Sequence, residues 1–296
     1  VMAGENTISF ALKSPHGDQG FPGNAKILVE YTLEKGNTLR IVYRAVCDED
    51  TVFNFTNHSY FNLAGHDKPE KAMDQILTMP ARFFTPSDGM YIPTGEEREV
   101  AGTAMDFRIP KAIGRDVDKD EDAIRLQQGY DHNFEVLCNP CAQLSHPESG
   151  RSMAVYTDCP GVQVYTANYT TGDGKDGVRY EPRCAVCLET QRYPNAANIP
   201  SFPSVVLPAK ERFAHLRLEG GVETPEAVAR FYAFLKKDWY DMDFLYIKRH
   251  PDLPAYRLFL SAEDVENRYL PFFPVDAFAI KRREIEAFYR RGAAEV

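Results

Sequence analysis

The feature that most constrains the fold is a succession of short segments in which apolar and polar residues alternate. Successive side chains of a β-strand point to opposite faces of a sheet, so this alternation predicts half-buried strands. The segments are residues 7–12, 25–33, 38–46, 51–61, 75–80, 153–157, 161–169, 185–190 and 213–218. Clusters of Gly, Asn, Asp, Ser and Pro separate many of them and predict turns. Many antiparallel strands joined by polar turns predict an all-β sandwich or barrel.

The pattern changes after about residue 218. Thr224, Pro225 and Glu226 supply the cap, the proline and the first-turn acid of a helix start, and apolar residues then recur at helical spacing. Further helix starts are predicted at Ser261 and Asp276. We therefore predict a β domain over 1–218 and a helix-rich tail over 219–296. The aromatic residues of the tail are interpreted as a packing surface, with contact to a protein partner as the alternative.

Composition and charge exclude several classes of function. The chain has 296 residues, 44% of them hydrophobic, and a formal net charge of -9. Its few basic clusters, at 281–283 and 290–291, lie beside acidic residues, so they favour a solvated face over a nucleic-acid site. No apolar run approaches the ~18 residues that span a bilayer, which predicts no membrane partner. The first residues lack the features of a signal peptide, so we predict a cytoplasmic protein.

The six cysteines include two pairs with the CxxC spacing of zinc ligands. These pairs are Cys138 with Cys141 and Cys184 with Cys187. The pairs lie far apart in sequence, and residues at i and i+3 of a strand point to opposite faces. Reduced, buried thiols are therefore favoured over a four-cysteine zinc site, which remains the alternative.

The run from Asn54 to Gly65 has two different faces if it is a strand. One face is mostly apolar, and the other carries amides, a hydroxyl, a phenol and an imidazole, from residues that include Tyr60 and Asn62. A face rich in neutral hydrogen-bonding groups suits a polyhydroxylated ligand. His58 lies at its middle, and histidine is the side chain best suited to exchange protons near neutral pH.

Three other segments have the same character. Asp131 lies beside an imidazole and an amide, Gln163 and Tyr165 share one face of a predicted strand, and Glu189 ends an apolar strand. Partial burial raises the pKa of a carboxyl and makes the carboxylate a better base. Taken singly, each residue also has a structural interpretation, such as a turn cap or a strand-edge partner. A metal site from His58, Asp131 and His132 is conceivable, although no HxH or HExxH spacing supports it.

Taken together, the segments occur in the order of a known family. The matching motifs are Gly20-Phe21-Pro22-Gly23, Asn57-His58-Ser59-Tyr60-Phe61-Asn62-Leu63, Gly129-Tyr130-Asp131-His132-Asn133-Phe134, Gly161-Val162-Gln163-Val164-Tyr165 and Leu188-Glu189-Thr190-Gln191. In these motifs the chain resembles the aldose 1-epimerase, or galactose mutarotase, family. The resemblance covers residues 1 to about 218 and implies a large antiparallel β-sandwich with an open sugar cleft.

The resemblance also implies roles for individual residues. His58 matches the general acid that protonates the ring oxygen of the sugar, and Glu189 matches the general base that acts on the anomeric hydroxyl. Asp131 and Gln163 match residues that hold sugar hydroxyls. Tyr60, Asn62 and Tyr165 are added as substrate-binding residues from their faces and proximity. The implied partner is an aldohexose such as galactose or glucose, with no metal and no other cofactor.

Two departures from the family pattern affect what we expect. The resemblance implies a further segment with a Leu-His-Gly-Gly motif, which carries a second active-site histidine, and with a sugar-binding arginine. No Leu-His-Gly-Gly occurs in this sequence, which predicts an N-terminally truncated sandwich. The tail over 219–296 matches no part of the family. The alternative to an epimerase is therefore a sugar-binding pseudoenzyme or regulatory module.

Overall fold

The computed structural model describes residues 2–4, 6–210, 212–220, 246–249 and 256–259. The chain divides into two compact units, one formed by 1–136 with 140–222 and the other by 137–139 with 223–296. The predicted helix starts at 224, 261 and 276 lie outside the described residues, so the helix-rich tail stays a prediction. The predicted boundary at 218 and 219 stays a prediction as well.

Strands dominate the described part of the chain. In chain order they are β1 (Met2–Ala3), β2 (Thr7–Ser14), β3 (Ala25–Glu34), β4 (Thr38–Cys47), β5 (Thr51–Val52), β6 (Tyr60–Phe61), β7 (Ile76–Thr78), β8 (Phe83–Thr85), β9 (Arg98–Glu99), β10 (Lys111–Ala112), β11 (Asp131–Glu135), β12 (Ala142–His146), β13 (Arg151–Thr157), β14 (Gly161–Tyr165), β15 (Gly172–Asp173), β16 (Arg179–Tyr180), β17 (Val186–Gln191), β18 (Val206–Leu207), β19 (Arg212–Gly220), β20 (Tyr246–Arg249) and β21 (Tyr256–Phe259).

Helices are short. The α-helix α1 spans Asp122–Gln127, and 3₁₀ turns lie at Asp18–Gly20, Pro69–Asp74, Ile113–Arg115 and Lys175–Gly177. None of the helices in the described ranges is both long and apolar enough to cross a bilayer.

Two antiparallel sheets make up most of the first unit. One has nine strands in the order β1-β2-β3-β4-β19-β13-β12-β7-β10, and the other has six in the order β6-β17-β14-β11-β8-β9. Within the second unit, β20 pairs with β21 in an antiparallel hairpin. The predicted all-β, antiparallel architecture is confirmed.

The main core contains side chains from both sheets. Leu77, Leu144 and Val155 come from the nine-stranded sheet, and Phe134 and Leu188 come from the six-stranded sheet, all of them fully buried. Burying such a side chain contributes roughly 1.5–3 kcal/mol. Two sheets that share one apolar core form a sandwich, which is the architecture that the family resemblance implies.

The long β3–β4 hairpin follows from its local sequence. Apolar residues alternate along both ten-residue strands, and the connection contains Gly36 and Asn37 with φ of 84° and 59°. Glycine adopts positive φ without steric cost, and asparagine tolerates it better than most residues. These two residues therefore form the turn that joins β3 to β4, between the predicted strands over 25–33 and 38–46.

The predicted strand over 51–61 is wrong as one continuous element. Only its two ends are strands, β5 and β6, and the residues between them form a loop. Side-chain amides replace the missing ladder: Asn54 exchanges two hydrogen bonds of 2.9 Å with the backbone of Arg192, and the Asn57 Oδ1 accepts from the backbone N of Ser59 at 3.1 Å. Asparagine side chains compete in this way with sheet hydrogen bonds. His58 therefore projects from a loop.

Candidate active site

The strand register gathers polar residues on one face of the six-stranded sheet. Two rows cross the strands, the first being Tyr60, Cys187, Tyr165 and Asp131 and the second Glu189, Gln163 and Asn133. Their neighbours along the strands, such as Leu188 and Val164, belong to the core. Because alternate side chains point to opposite faces, the register that buries the core also assembles the polar face.

His58 reaches Glu189 on this face. The Nε2 of His58 lies 3.3 Å from the Oε1 of Glu189, and the two side chains are 51% and 10% exposed. The imidazole stacks on the ring of Tyr60 at 5.0 Å and meets the edge of Tyr165 at 6.0 Å. An accessible imidazole is thus oriented by two aromatic rings beside a mostly buried carboxyl group.

Asp131 belongs to a short chain of hydrogen bonds. The Nε2 of Gln163 donates to Oδ1 of Asp131 at 2.7 Å, and the Nε2 of Gln191 donates to Oε1 of Gln163 at 3.3 Å. Burial raises the pKa of Asp131, while the bond from Gln163 and the nearby His58 oppose the rise. The carboxyl group is thus desolvated but kept in place by an amide donor.

Tyr60 and Tyr165 offer phenol groups at the same face. Burial is the main cause that raises the pKa of both phenols above the usual value of 10.0. Both are therefore neutral at physiological pH and can donate a hydrogen bond. The Tyr165 oxygen also accepts from the backbone N of Tyr169 at 3.3 Å.

Asn62 is placed differently from the other predicted site residues. Its Nδ2 donates to the carbonyl of Lys68 at 2.8 Å, and its Oδ1 accepts from the backbone N of Ala64 at 3.0 Å. These bonds stabilise the turn that follows β6. A role for Asn62 in sugar binding stays a prediction. In the structure, its side chain holds the turn between residues 62 and 68.

His132 faces the core and not the site. The residue is 1% exposed, and its ring meets the edge of Phe84 at 5.7 Å. Burial lowers the pKa of its imidazole to about 4. A metal site from His58, Asp131 and His132 is therefore excluded, because consecutive residues of β11 point to opposite faces.

The structure adds residues that were not predicted for the site. Asn133 is 2% exposed, and neither its Oδ1 nor its Nδ2 has a hydrogen-bond partner; Oγ1 of Thr85 is also unpaired. Both residues line a polar cavity together with Asp131 and Gln163. Buried polar atoms without partners are costly, so these atoms suit a hydroxylated ligand or water. The strand parity of Asp131 and Asn133 was a signal that could have identified Asn133.

The two cysteines of the second CxxC pair have different surroundings. Cys184 packs with Ala167 and Ala185, whereas Cys187 lies on the polar face. None of the six cysteines, all of which lie within residues 6–210, forms a disulfide. The ligand atoms of His58, Cys187 and Glu189 lie within 4.8 Å of one another, so within the described ranges these three residues could hold a metal ion.

The geometry therefore places an imidazole and a carboxyl group, 3.3 Å apart, beside a face of hydrogen-bond donors and acceptors. Residues 2–216 match the family model described as aldose 1-epimerase. The chain belongs to the aldose 1-epimerase family. The family predicted from the motifs is thus confirmed.

Curated relatives agree with this assignment. The chain is 43% identical over 220 residues to the galactose mutarotase of Sus scrofa and 42% identical over 216 residues to that of Homo sapiens, covering 71% of this chain and 61% of each relative. It is 39% identical over 204 residues to the aldose 1-epimerase of Haemophilus influenzae, covering 67% of this chain and 59% of that relative. The chain therefore spans about 61% of the length of the mutarotases that it matches.

Solved structures of aldose 1-epimerase relatives share the fold. The GalM/aldose epimerase homologue from C. elegans matches with a TM-score of 0.67 and 28% identity, covering 74% of this chain and 66% of that one. The galactose 1-epimerase from Lactobacillus acidophilus matches with a TM-score of 0.64 and 29% identity, over 74% of this chain and 64% of that one. The sandwich predicted from the family resemblance is thereby confirmed.

Proposed function

We propose that this chain interconverts the α and β anomers of an aldohexose such as galactose or glucose. The observation that carries the proposal is the His58–Glu189 pair, 3.3 Å apart, on a polar sheet face. The ring oxygen and the anomeric hydroxyl of a pyranose are bonded to the same carbon. An acid and a base that act on these two oxygens must therefore lie close together, as His58 and Glu189 do.

In the proposed reaction, Glu189 removes the proton of the anomeric hydroxyl while His58 donates a proton to the ring oxygen. The bond between C1 and the ring oxygen breaks, and the electron pair of the O–H bond forms the C1 carbonyl. Rotation about the C1–C2 bond presents the other face of the aldehyde. The ring then closes as His58 takes back its proton and Glu189 returns the other. Each positioned proton transfer contributes typically 10²–10⁴-fold to the rate.

The remaining polar residues are proposed to hold the sugar. The carboxylate of Asp131 accepts from a hydroxyl, and the amide of Gln163 is oriented to support it. Asn133 and Thr85 have unpaired polar atoms at the same cavity, and the phenols of Tyr60 and Tyr165 supply further donors. Sugar hydroxyls both donate and accept, so they satisfy groups that are otherwise desolvated.

Two further points belong to the proposal. The proposed reaction is complete with two proton transfers, so it requires no cofactor.

A cytoplasmic location is supported by the absence of disulfides among the six cysteines of the described part of the chain, because thiols stay reduced in the cytosol and tend to form disulfides in secreted proteins. Fractionation of the native cells tests the location.

The experiment is to follow optical rotation after α-D-galactose or α-D-glucose is dissolved with the full chain. Anomers interconvert spontaneously, so the same buffer without protein is the control. A rate increase that is proportional to protein concentration and saturable in sugar supports the epimerase. Saturable sugar binding without a faster change in rotation contradicts it and supports the sugar-binding module instead.

A further inference from the structure

Cys187 lies at the edge of the proposed catalytic pair without a role in the proton transfers. It shares a strand face with Glu189, two residues away, and the register places it opposite Tyr60 on one side and Tyr165 on the other. Cys187 is fully buried. The sulfur lies within 4.8 Å of a ring nitrogen of His58 and of a carboxylate oxygen of Glu189.

These three donors form the ligand set of a transition-metal ion. Thiolate, imidazole and carboxylate are the groups that bind Zn²⁺, and a soft thiolate selects it over Mg²⁺ and Ca²⁺. We propose that His58, Cys187 and Glu189 reversibly bind one Zn²⁺ or Co²⁺ ion, and that the bound ion inhibits anomer interconversion. The site goes beyond the proposed function, because no step of the proposed reaction uses a metal.

One of the three donor pairs already has the spacing of a tetrahedral metal site. Ligand distances of 2.0–2.3 Å place the donor atoms of a tetrahedral site roughly 3.3–3.7 Å apart. Nε2 of His58 and Oε1 of Glu189 already lie 3.3 Å apart. Cys187 and Glu189 are both held by β17, which pairs with β6 on one side and with β14 on the other, whereas His58 projects from a loop and its side chain is half exposed. The imidazole is therefore the ligand that adjusts, and the fourth position stays open to water.

Binding of the metal ion releases one proton and blocks both proton-transfer groups. The thiol of Cys187 loses its proton to solvent as the S–metal bond forms, and no redox change occurs. The lone pairs of the His58 nitrogen and the Glu189 oxygen are then bound to the ion. Neither residue can exchange a proton with the sugar while the ion is bound, so the metal competes with catalysis.

The primary test is a titration of the full chain with Co²⁺ in the absence of sugar. Thiolate coordination produces a sulfur-to-cobalt charge-transfer absorption in the near ultraviolet. We expect one Co²⁺ per chain with this absorption, and its displacement by Zn²⁺. Cys187→Ser and Cys187→Ala should both abolish the absorption and weaken binding at least tenfold. A wild-type chain without the absorption would overturn the proposal.

Matched controls separate this site from the other thiols. Cys184→Ser changes the neighbouring buried cysteine, and Cys138→Ser removes one thiol of the other CxxC pair; both variants should retain the absorption. If the absorption survives in Cys187→Ala or disappears in Cys138→Ser, the assignment to Cys187 is wrong. X-ray absorption spectroscopy of the zinc-loaded wild-type chain needs no variant. One sulfur in the coordination shell is expected, and a shell of nitrogen and oxygen alone contradicts the proposal.

The effect on catalysis is measured separately. If the chain accelerates anomer interconversion, stoichiometric Zn²⁺ should reduce the rate at least tenfold, and a chelator should restore it. An unchanged rate with bound zinc would contradict the inhibitory role. If no acceleration is found without metal, the proposed epimerase fails, whereas the cobalt spectrum still decides whether the metal site exists.

Discussion

Gln163 donates a hydrogen bond of 2.7 Å to the desolvated carboxyl group of Asp131. The two residues lie on adjacent antiparallel strands, and their register places them one position apart along the polar face. Burial raises the pKa of Asp131, and the amide donor opposes that rise. This carboxyl group is thus held in one orientation at the cavity, with accepting capacity left for a ligand.

The substitution Asp131→Asn should weaken sugar binding more than it slows the chemical steps. The amide keeps the shape of the side chain but loses the charge, and a hydrogen bond to a charged group contributes about 1.5–3 kcal/mol, or roughly 10- to 150-fold in affinity. We expect KM to rise by about this factor with a smaller change in kcat, as measured by initial rates of optical rotation. The matched control is Asp173→Asn, at an aspartate whose side chain is 84% exposed. Equal effects of the two substitutions would show that Asp131 does not bind the sugar.

Gln191 should act as a positioning residue through Gln163. Its Nε2 donates to Oε1 of Gln163, which leaves the amide NH₂ of Gln163 directed at Asp131. Loss of one neutral hydrogen bond costs about 0.5–1.5 kcal/mol, so Gln191→Leu should raise KM roughly 2- to 10-fold while kcat changes little. The double variant with Gln163→Leu should be no worse than Gln163→Leu alone. Additive effects on KM would mean that Gln191 acts independently of Gln163.

His132 should make the stability of the fold depend on pH. Its pKa is lowered from 6.5 to about 4 by burial, so between these values the unfolded chain binds more protons than the folded one. The free energy of unfolding therefore falls as the pH drops from 6.5 toward 4, by up to roughly 3 kcal/mol. The raised pKa of Asp131 acts in the opposite direction.

Urea denaturation of the wild-type chain and of His132→Gln, above and within this pH window, isolates the histidine contribution. The Asp131 contribution is common to both proteins and cancels in the comparison. The variant should lose less stability than the wild-type chain as the pH falls. Parallel curves for the two proteins would contradict the assignment of the effect to His132.

The sequence predicts the local parts of this structure better than its long-range parts. Alternation identifies β3 and β4 because every second residue of each strand is apolar and most of these residues pack in one core cluster. It fails between residues 53 and 59, because the side chains of Asn54 and Asn57 replace the sheet hydrogen bonds. The strand β12 was not predicted, although it lies inside the nine-stranded sheet and its alternate residues are buried.

The same distinction applies to the candidate site. Strand parity places Asp131 and Glu189 on polar faces, because parity is a property of one strand. The approach of His58 to Glu189 depends on a loop, and the position of Cys187 opposite Tyr60 depends on the register between β6 and β17. Register and loop conformation are set by contacts between distant parts of the chain, so the motifs alone could not predict them.

The most direct measurement for the central claim is the rate of α-D-galactose interconversion by Glu189→Gln and His58→Asn, with both variants checked for folding. The control is Glu181→Gln, at a glutamate whose side chain is 62% exposed. We expect each site variant to lose about 10²–10⁴-fold in kcat, the control to keep the wild-type rate, and the double variant to lose less than the product of the two single losses. Site variants that retain the wild-type kcat would contradict the assignment of His58 and Glu189 as acid and base.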